Sequence, residues 1–382
     1  MILLSVPAMY DLTYIDRLSA LNKKSPNTKI SEVYGSIESS PLGTIRPSAT
    51  LDQLDLNNLK KYIWYCRENS IQFDYIMNST VLDGSEYTQE GRKKIIDFIG
   101  ELVDAGIASL TLSVPFIIRL VRKNFPDLHI TASICSEIDS IKRALEYQLI
   151  GVNRIVLAKD VNRNFGLINK IKDAFSGDIK LLATTPCTFK CSDIFYHMNL
   201  SSIRDNALSV SFKGPADVSS HTSITCQKYR LENPVEYIKS PWIRPEDMKF
   251  YNEIGISLFK LDGRDKPMEY NLEVIEAYIN NEYTGNLLYL MQNYFPKNQE
   301  EYNQLNCKDS QEFWRLGVYI DNSKMDGFID PFFNKNINCE DGCNACNYCN
   351  SWMKNALSTD TKNTYNYLKL LNVEYEKRLA IE

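Results

Sequence analysis

The chain has 382 residues, 44% of them hydrophobic and 24% charged, with a net charge of −5. That balance excludes a disordered or fibrous chain and leaves room for one large domain with an appendage or for two ordinary ones. It offers no general attraction to phosphate, so nucleic acid is a partner the charge does not indicate, and no run approaches the ~18 apolar residues of a membrane helix.

The opening segment Ile2–Val6 reads as a buried strand, not a signal peptide, because it lacks a basic start and is too short. The expected compartment is therefore the cytoplasm, with no membrane partner. A helical stretch runs from Asp11 to Asn22, followed by a strand at Ile30–Tyr34 and a Ser-, Gly- and Pro-rich loop from Gly35 to Ala49. A helix from about Leu51 to Asn69 carries Leu59, Ile63 and Cys66 near one face, and Phe73–Met77 is the third strand. The helix from Thr88 to Ala105 repeats Ile95, Ile99 and Leu102 at helical spacing and stops at Gly106. Ser109–Val114 is strand four, with a helix through Ile117, Ile118 and Val121, and His129–Ile134 is strand five. Ser136 is expected to cap a helix ended by Gly151. Arg154–Ala158 is strand six, Phe165–Phe175 a helix and Ile179–Ala183 strand seven. After a break in the rhythm, Pro245 opens a helix to Ile254, and Ser257–Leu261 is strand eight.

Strands nearly all followed by helices predict an α/β fold, a TIM-like (β/α)8 barrel, with an open doubly wound sheet as the alternative. The barrel is expected over 1–285, with an insertion at about 187–241 after strand seven, on the side where barrel enzymes keep their active sites. Residues 286–382 read as a cysteine-rich and helical C-terminal extension. It has a strand at Phe313–Tyr319 and a last helix around Thr361–Ala380.

The chain has ten cysteines. In a reducing compartment these point to metal binding or catalysis more readily than to disulfides. Cys187 and Cys191 stand just past strand seven in ATTPCTFKCSDIFYH, and Cys226 follows in SITCQKYR. Cys339, Cys343, Cys346 and Cys349 crowd into CEDGCNACNYC, whose short gaps let a tight loop aim neighbouring sulfurs at one centre. Zinc and iron–sulfur compete for this last group. Seven cysteines do not divide into two complete four-sulfur sites. Either a cluster takes a non-cysteine ligand such as His197, or one iron stays open, or Cys307 joins. Cys66 reads as core, and Cys135 stays unassigned.

At strands six and eight the residues resemble a known family. RIVLAKDVN is similar to the "vvLaRE" strand of the U32 collagenase-like peptidases, and RPEDMKFYNEIGISLFKLDGR to their "pEdl…eaGvdslKIEGR" signature. HITASIC followed by a helix and GVNRIVLAKD matches the order of the family's fifth and sixth strands. The resemblance spans about residues 70 to 270 and implies a barrel. In several branches it also implies a 4Fe-4S cluster held by cysteines after strand seven, in oxygen-independent hydroxylases of RNA or quinone precursors. It places Cys187, Cys191 and Cys226 as ligands, though the family's usual pattern spaces the first two more widely. Cys339 is the candidate fourth ligand, and Cys343, Cys346 and Cys349 a second site, with zinc as the alternative there. Lys159 and Asp160 occupy the family's Arg–Glu position.

Lys260, Asp262 and Arg264 in FKLDGR are expected at the barrel mouth as catalytic candidates. Arg264 suits bidentate binding of a carboxylate, and Asp262 suits a base or a partner for Arg264; a structural salt bridge is the alternative. The expected function is iron–sulfur oxidoreduction or hydroxylation, without oxygen, of a small-molecule, peptide or RNA substrate. The alternatives are a U32-type peptidase or a non-catalytic iron–sulfur subunit that pairs with another member of the family. Peptidase chemistry has little support: there are only three histidines, and neither HExxH nor GxSxG occurs.

Overall fold

Eight parallel strands, hydrogen-bonded in chain order, close into a barrel when the last pairs with the first. They are β1 (Ile2–Pro7), β2 (Thr28–Gly35), β3 (Gln72–Met77), β4 (Ser109–Leu112), β5 (Ile130–Ala132), β6 (Arg154–Val156), β7 (Asp178–Leu182) and β8 (Leu258–Lys260). A computed structural model describes residues 1–45, 54–205, 219–291, 317–337, 339 and 343–381. Each strand overlaps the expected one, and the open-sheet alternative is excluded by the β1–β8 pairing.

The connecting helices are α1 (Leu12–Lys24), α2 (Leu56–Glu68), α3 (Gln89–Asp104), α4 (Pro115–Asn124), α5 (Ile141–Leu149) and α6 (Phe165–Ala174). Asp11, Asp55, Thr88, Ser140 and Asn164 each accept a backbone N–H of the first turn that would otherwise lack a partner. The expected start of α5 is corrected. Ser136 ends a single 3-10 turn, Ile138 bridges Leu157 in strand fashion, and Ser140 is the cap. Alternate strand residues Leu4, Val33, Phe73, Leu110, Ile155, Leu181 and Phe259 are fully buried in one core cluster with Ile15, Ile63, Ile99 and Ile168 of the helices. Each such side chain contributes about 1.5–3 kcal/mol.

After β7 come α7 (Ile194–Asp205), α8 (Ser219–Glu232), α9 (Val235–Lys239) and α10 (Met248–Glu253), and β8 leads into α11 (Met268–Asn280). The insertion is fastened to the mouth by side chains reaching backbone. Ser240 Oγ donates to Cys187 O at 2.7 Å, and Asn162 Nδ2 to Pro241 O at 2.7 Å. Arg163 donates to Ile238 O at 2.9 Å and to Ser240 O at 2.5 Å.

The C-terminal part carries β9 (Val318–Ile320), antiparallel to β10 (Leu357–Thr359). Of the expected Phe313–Tyr319 strand, residues 313–316 lie outside the described ones. Asn286 accepts from Ile320 N at 3.0 Å and donates to Val318 O at 3.1 Å. The buried Arg244 forks onto Asp247 with two bonds of 2.9 Å and also reaches Asn322 O at 3.0 Å and Asp326 at 3.1 Å. The final helix, Thr361–Leu379, lies along α8, where Tyr375 stacks on His221 at 5.9 Å. No described helix is long and apolar enough to cross a membrane.

Candidate functional site

Barrel interiors are commonly filled by branched aliphatic side chains. Here the inward positions of six strands are polar and bond across the lumen. Glu32 of β2 accepts from Ser5 Oγ at 2.6 Å, from Arg154 Nη1 at 2.8 Å and from Lys180 Nζ. Asp74 of β3 accepts from Ser109 and Thr111, both at 2.7 Å, and lies 3.7 Å from Lys180. Burial alone would push the Glu32 carboxyl up, but Lys180 and Arg154 outweigh it and hold it at about 2. Two carboxylates thus offset two cations, with Lys180 and Asp74 sealed inside while Glu32 and Arg154 line a cavity of ≈ 220 Å³ at the N-terminal ends of the strands, where Arg154 also lies 3.5 Å from Asp178.

Toward the mouth, β8 pairs Lys260 with Leu182 and with Ser5, so Lys260 stands one inward position above Lys180. Its Nζ sits 3.7 Å from the centre of the Tyr34 ring, and the Arg264 guanidinium lies 5.6 Å from the same ring. Burial, then Lys180 and Arg264, draw the Lys260 amine down to about 7, against Asp262 and Asp74. Tyr34 OH donates to Leu261 O at 2.7 Å and lies 3.2 Å from Asp262 Oδ1. Asp262 Oδ1 also accepts from Gly263 N at 3.0 Å, and Arg264 Nη1 donates to Ser36 Oγ at 3.2 Å. Cys135 is buried nearby, where Asn78 Nδ2 lies 3.5 Å from its sulfur. The three FKLDGR residues therefore do gather at the mouth. Asp262 is oriented by Tyr34 and its own loop.

Nine cysteines lie among the described residues, all as free thiols, and Cys66 is core as expected. Cys307 lies outside the described residues. Cys187, Cys191 and Cys226 form one mutually interacting group. Cys339, Cys343, Cys346 and Cys349 form a second. The two meet across a cavity of ≈ 590 Å³ lined by Cys191, Cys226, Cys339 and Cys343 with Lys190, Lys239 and Glu236. A second cavity of ≈ 720 Å³ shares Cys191 and Cys339 and continues along Glu137, Asp160 and Arg163. Burial raises the thiols of Cys187, Cys191 and Cys339 and pushes Cys349 up to about 11, with Lys159 opposing at Cys187 and Arg163 at Cys339 and Cys349.

Among the described residues no group of three or more His, Cys, Asp or Glu closes tightly enough on one point to hold a metal ion. A cluster is gripped at its corners, so its ligands stand around a volume and not around a point. Soft donors ringing a cavity beside cations fit such a group. His197 is exposed on α7 and does not line the sulfur cavity.

Sequence reasoning missed Glu32, Asp74, Arg154 and Lys180, although each is a charged residue inside a β-type run. It also missed Glu137, a left-handed non-glycine residue (φ 45°) whose carboxyl is raised by burial and has Oε1 buried without a hydrogen bond. Lys159 is buried 3.4 Å from Asp160. Burial would lower its amine, and Cys187, Asp160 and Glu137 outweigh that and raise it.

The model of peptidase family U32 matches residues 28–183, the stretch from β2 through β7. Over 343 residues the chain is 29% identical to an uncharacterized protease of Methanocaldococcus jannaschii, covering 90% of this chain and 93% of that one. The solved structure of the U32 peptidase Mk0906 aligns with a TM-score of 0.48 and 14% identity, covering 70% of this chain and 94% of that one. The stretch from β2 through β7 is thus similar to peptidase family U32, and the likeness to the Methanocaldococcus jannaschii protease runs nearly the full length of both chains.

Proposed function

We propose that this chain is an iron–sulfur oxidoreductase whose barrel mouth modifies its substrate without oxygen, a hydroxylation being the expected outcome. One observation carries the reading: sulfurs from the β7–β8 insertion and from the C-terminal part, far apart in sequence, line a single cavity. Cys187, Cys191, Cys226 and Cys339 would hold a 4Fe-4S cluster. Cys343, Cys346 and Cys349 would hold a second metal, a further cluster or zinc. When bound, the cluster supplies electrons singly at a potential set by its surroundings. Lys190, Lys239 and Arg163 lie near the sulfurs and offset thiolate charge. Arg264 would take a substrate carboxylate, Asp262 would position the loop that carries it, and Lys260 would hold or give up a proton near neutral pH.

The test is anaerobic purification with iron, sulfide and zinc analysis and an absorption spectrum. About four or eight irons per chain with a broad band near 400 nm support the reading. Cys191→Ser, Cys226→Ser and Cys339→Ser each lose most of that iron while far-UV circular dichroism is kept. About one zinc per chain and no colour overturns it. The names of the relatives favour a second reading, peptide hydrolysis. It meets an obstacle in Cys187, Cys191 and Cys339, whose thiols are raised where a nucleophile needs them lowered. Cleavage of a peptide pool by metal-free protein would favour it.

A further inference from the structure

Lys260 has features that neither proton transfer nor charge balance requires. It ends β8 at the mouth of the barrel, half-buried and next to the loop that carries Arg264. Its Nζ rests 3.7 Å from the Tyr34 ring centre, and among the described residues no carboxylate lies within ion-pair distance of it. That separates it from Lys180 just below, whose amine is committed to Glu32. The groups facing it are Lys180 of β7, Tyr34 of β2, Asp74 of β3, Cys135 after β5, and Asp262 and Arg264 beyond β8. Two cations and two carboxylates surround it, and the cations weigh more on its amine. An aromatic face favours the ammonium by about 0.5–1 kcal/mol. Burial beside Lys180 and Arg264 prevails, and the amine falls to about 7. A lysine with its ordinary value near 10.4 is neutral in roughly one molecule of 2,500 at pH 7. Drawn down to about 7, this one has a far larger neutral share.

We propose that Lys260 is a carbonyl-condensing amine for a small 2-oxo acid. Nζ attacks the carbonyl carbon and a C–N bond forms. The carbonyl oxygen leaves as water with the two amine hydrogens, and a C=N imine remains. No oxidant or reductant enters the step. Desolvated lysines beside a second cation are the ones that act this way. Arg264 gives the class of carbonyl compound: its guanidinium stands over the same Tyr34 ring, placed to take a carboxylate next to the condensing carbon. Arg264 at the mouth favours an anion over a cationic amine ligand, whereas the charge of Lys180 is matched by Glu32. The inference rests on the mouth being the reaction site and makes no use of the sulfur ligands.

The test is reductive trapping. The full-length protein is incubated at pH 7 with pyruvate or glyoxylate, or with a neutral aldehyde of similar size. It is then reduced with cyanoborohydride, digested and mapped by mass spectrometry. The expected result is a single adduct at Lys260, favoured over surface lysines by about a hundredfold. Lys260→Arg and Lys260→Met, checked for folding by circular dichroism, abolish it. Arg264→Met lowers trapping of the 2-oxo acids and spares that of the neutral aldehyde. Adducts spread over Lys142, Lys93 and other exposed amines in proportion to exposure overturn the proposal, as does undiminished labelling of a folded Lys260→Arg variant. Repeating the reaction on Cys226→Ser protein separates the two readings. Trapping without iron leaves this inference standing when the iron–sulfur reading fails, and iron without trapping does the reverse.

Discussion

Replacing Glu32 by glutamine keeps the side-chain volume and removes one charge from the barrel interior. Glu32 is 2% exposed and accepts from Ser5, Arg154 and Lys180. The variant leaves Lys180 with Asp74 at 3.7 Å and Arg154 with Asp178 at 3.5 Å, and takes from the buried Lys180 its nearest carboxylate. Breaking a buried pair in this way costs about 3–5 kcal/mol. The acid limb points the same way. The carboxyl is held at about 2 against an ordinary 4.5, a gap of roughly 3 kcal/mol. Because the folded value is the lower one, this stability is fully present above pH about 4.5 and is lost as the pH falls through about 2, with about 1.4 kcal/mol left at pH 3. Urea unfolding followed by tryptophan fluorescence at pH 7 and pH 3 should show Glu32→Gln well below the wild type at pH 7 and closer to it at pH 3. The double variant Glu32→Met with Lys180→Met, which removes both charges, should recover most of the loss. A Glu32→Gln cost below ~1 kcal/mol at pH 7, or a gap that does not narrow at pH 3, would refute the reasoning.

Arg244→Ala should orphan the buried Asp247 and release Asn322 and Asp326, at a cost of about 3–5 kcal/mol. Limited proteolysis should then free the C-terminal part before the barrel is cut, and digestion at the wild-type rate would count against that role. Arg163 lies 4.5 Å from the Trp242 ring centre and 4.7 Å from that of Phe328, and it interacts with Cys339 and Cys349. Arg163→Met keeps the packing and loses the charge, so metal held after chelator dialysis should fall while stability to urea drops by about 1–3 kcal/mol through the bereft carbonyls of Ile238 and Ser240. Unchanged metal content would separate Arg163 from the sulfur group.

The barrel was legible because its outward strand faces are runs of Leu, Ile, Val and Phe separated by helices with clear apolar stripes. Element ends were less so. His129–Ile134 reads as one strand, yet Ser133 accepts the Cys135 N–H at 3.2 Å and turns the chain after Ala132. A local side-chain bond outcompeted the ladder there. The mouth residues Lys260, Asp262 and Arg264 were legible as a motif, and their shared Tyr34 ring was not, since β2 and β8 meet only through β1. The same holds for Glu32 and Lys180, which are 148 residues apart and become partners only when the sheet closes. Among the sulfurs, sequence could group Cys339 with its neighbours, but only folding sets it opposite Cys191 and Cys226.

The short ladder between β9 and β10 works as a clasp. It joins Val318–Ile320 to Leu357–Thr359, and Asn286 anchors it beside the barrel. Everything from 321 to 356, including the cysteines of CEDGCNACNYC, is therefore a loop whose two ends are already shut. Closing a loop is an entropic cost that depends only slowly on its length, and here hydrogen bonds meet it before any sulfur engages. The thiols are thus confined near the mouth by that ladder together with the side chains of Asn286 and Arg244. Loosening the clasp, for example with proline at Tyr319, would weaken capture at those cysteines without altering a single ligand.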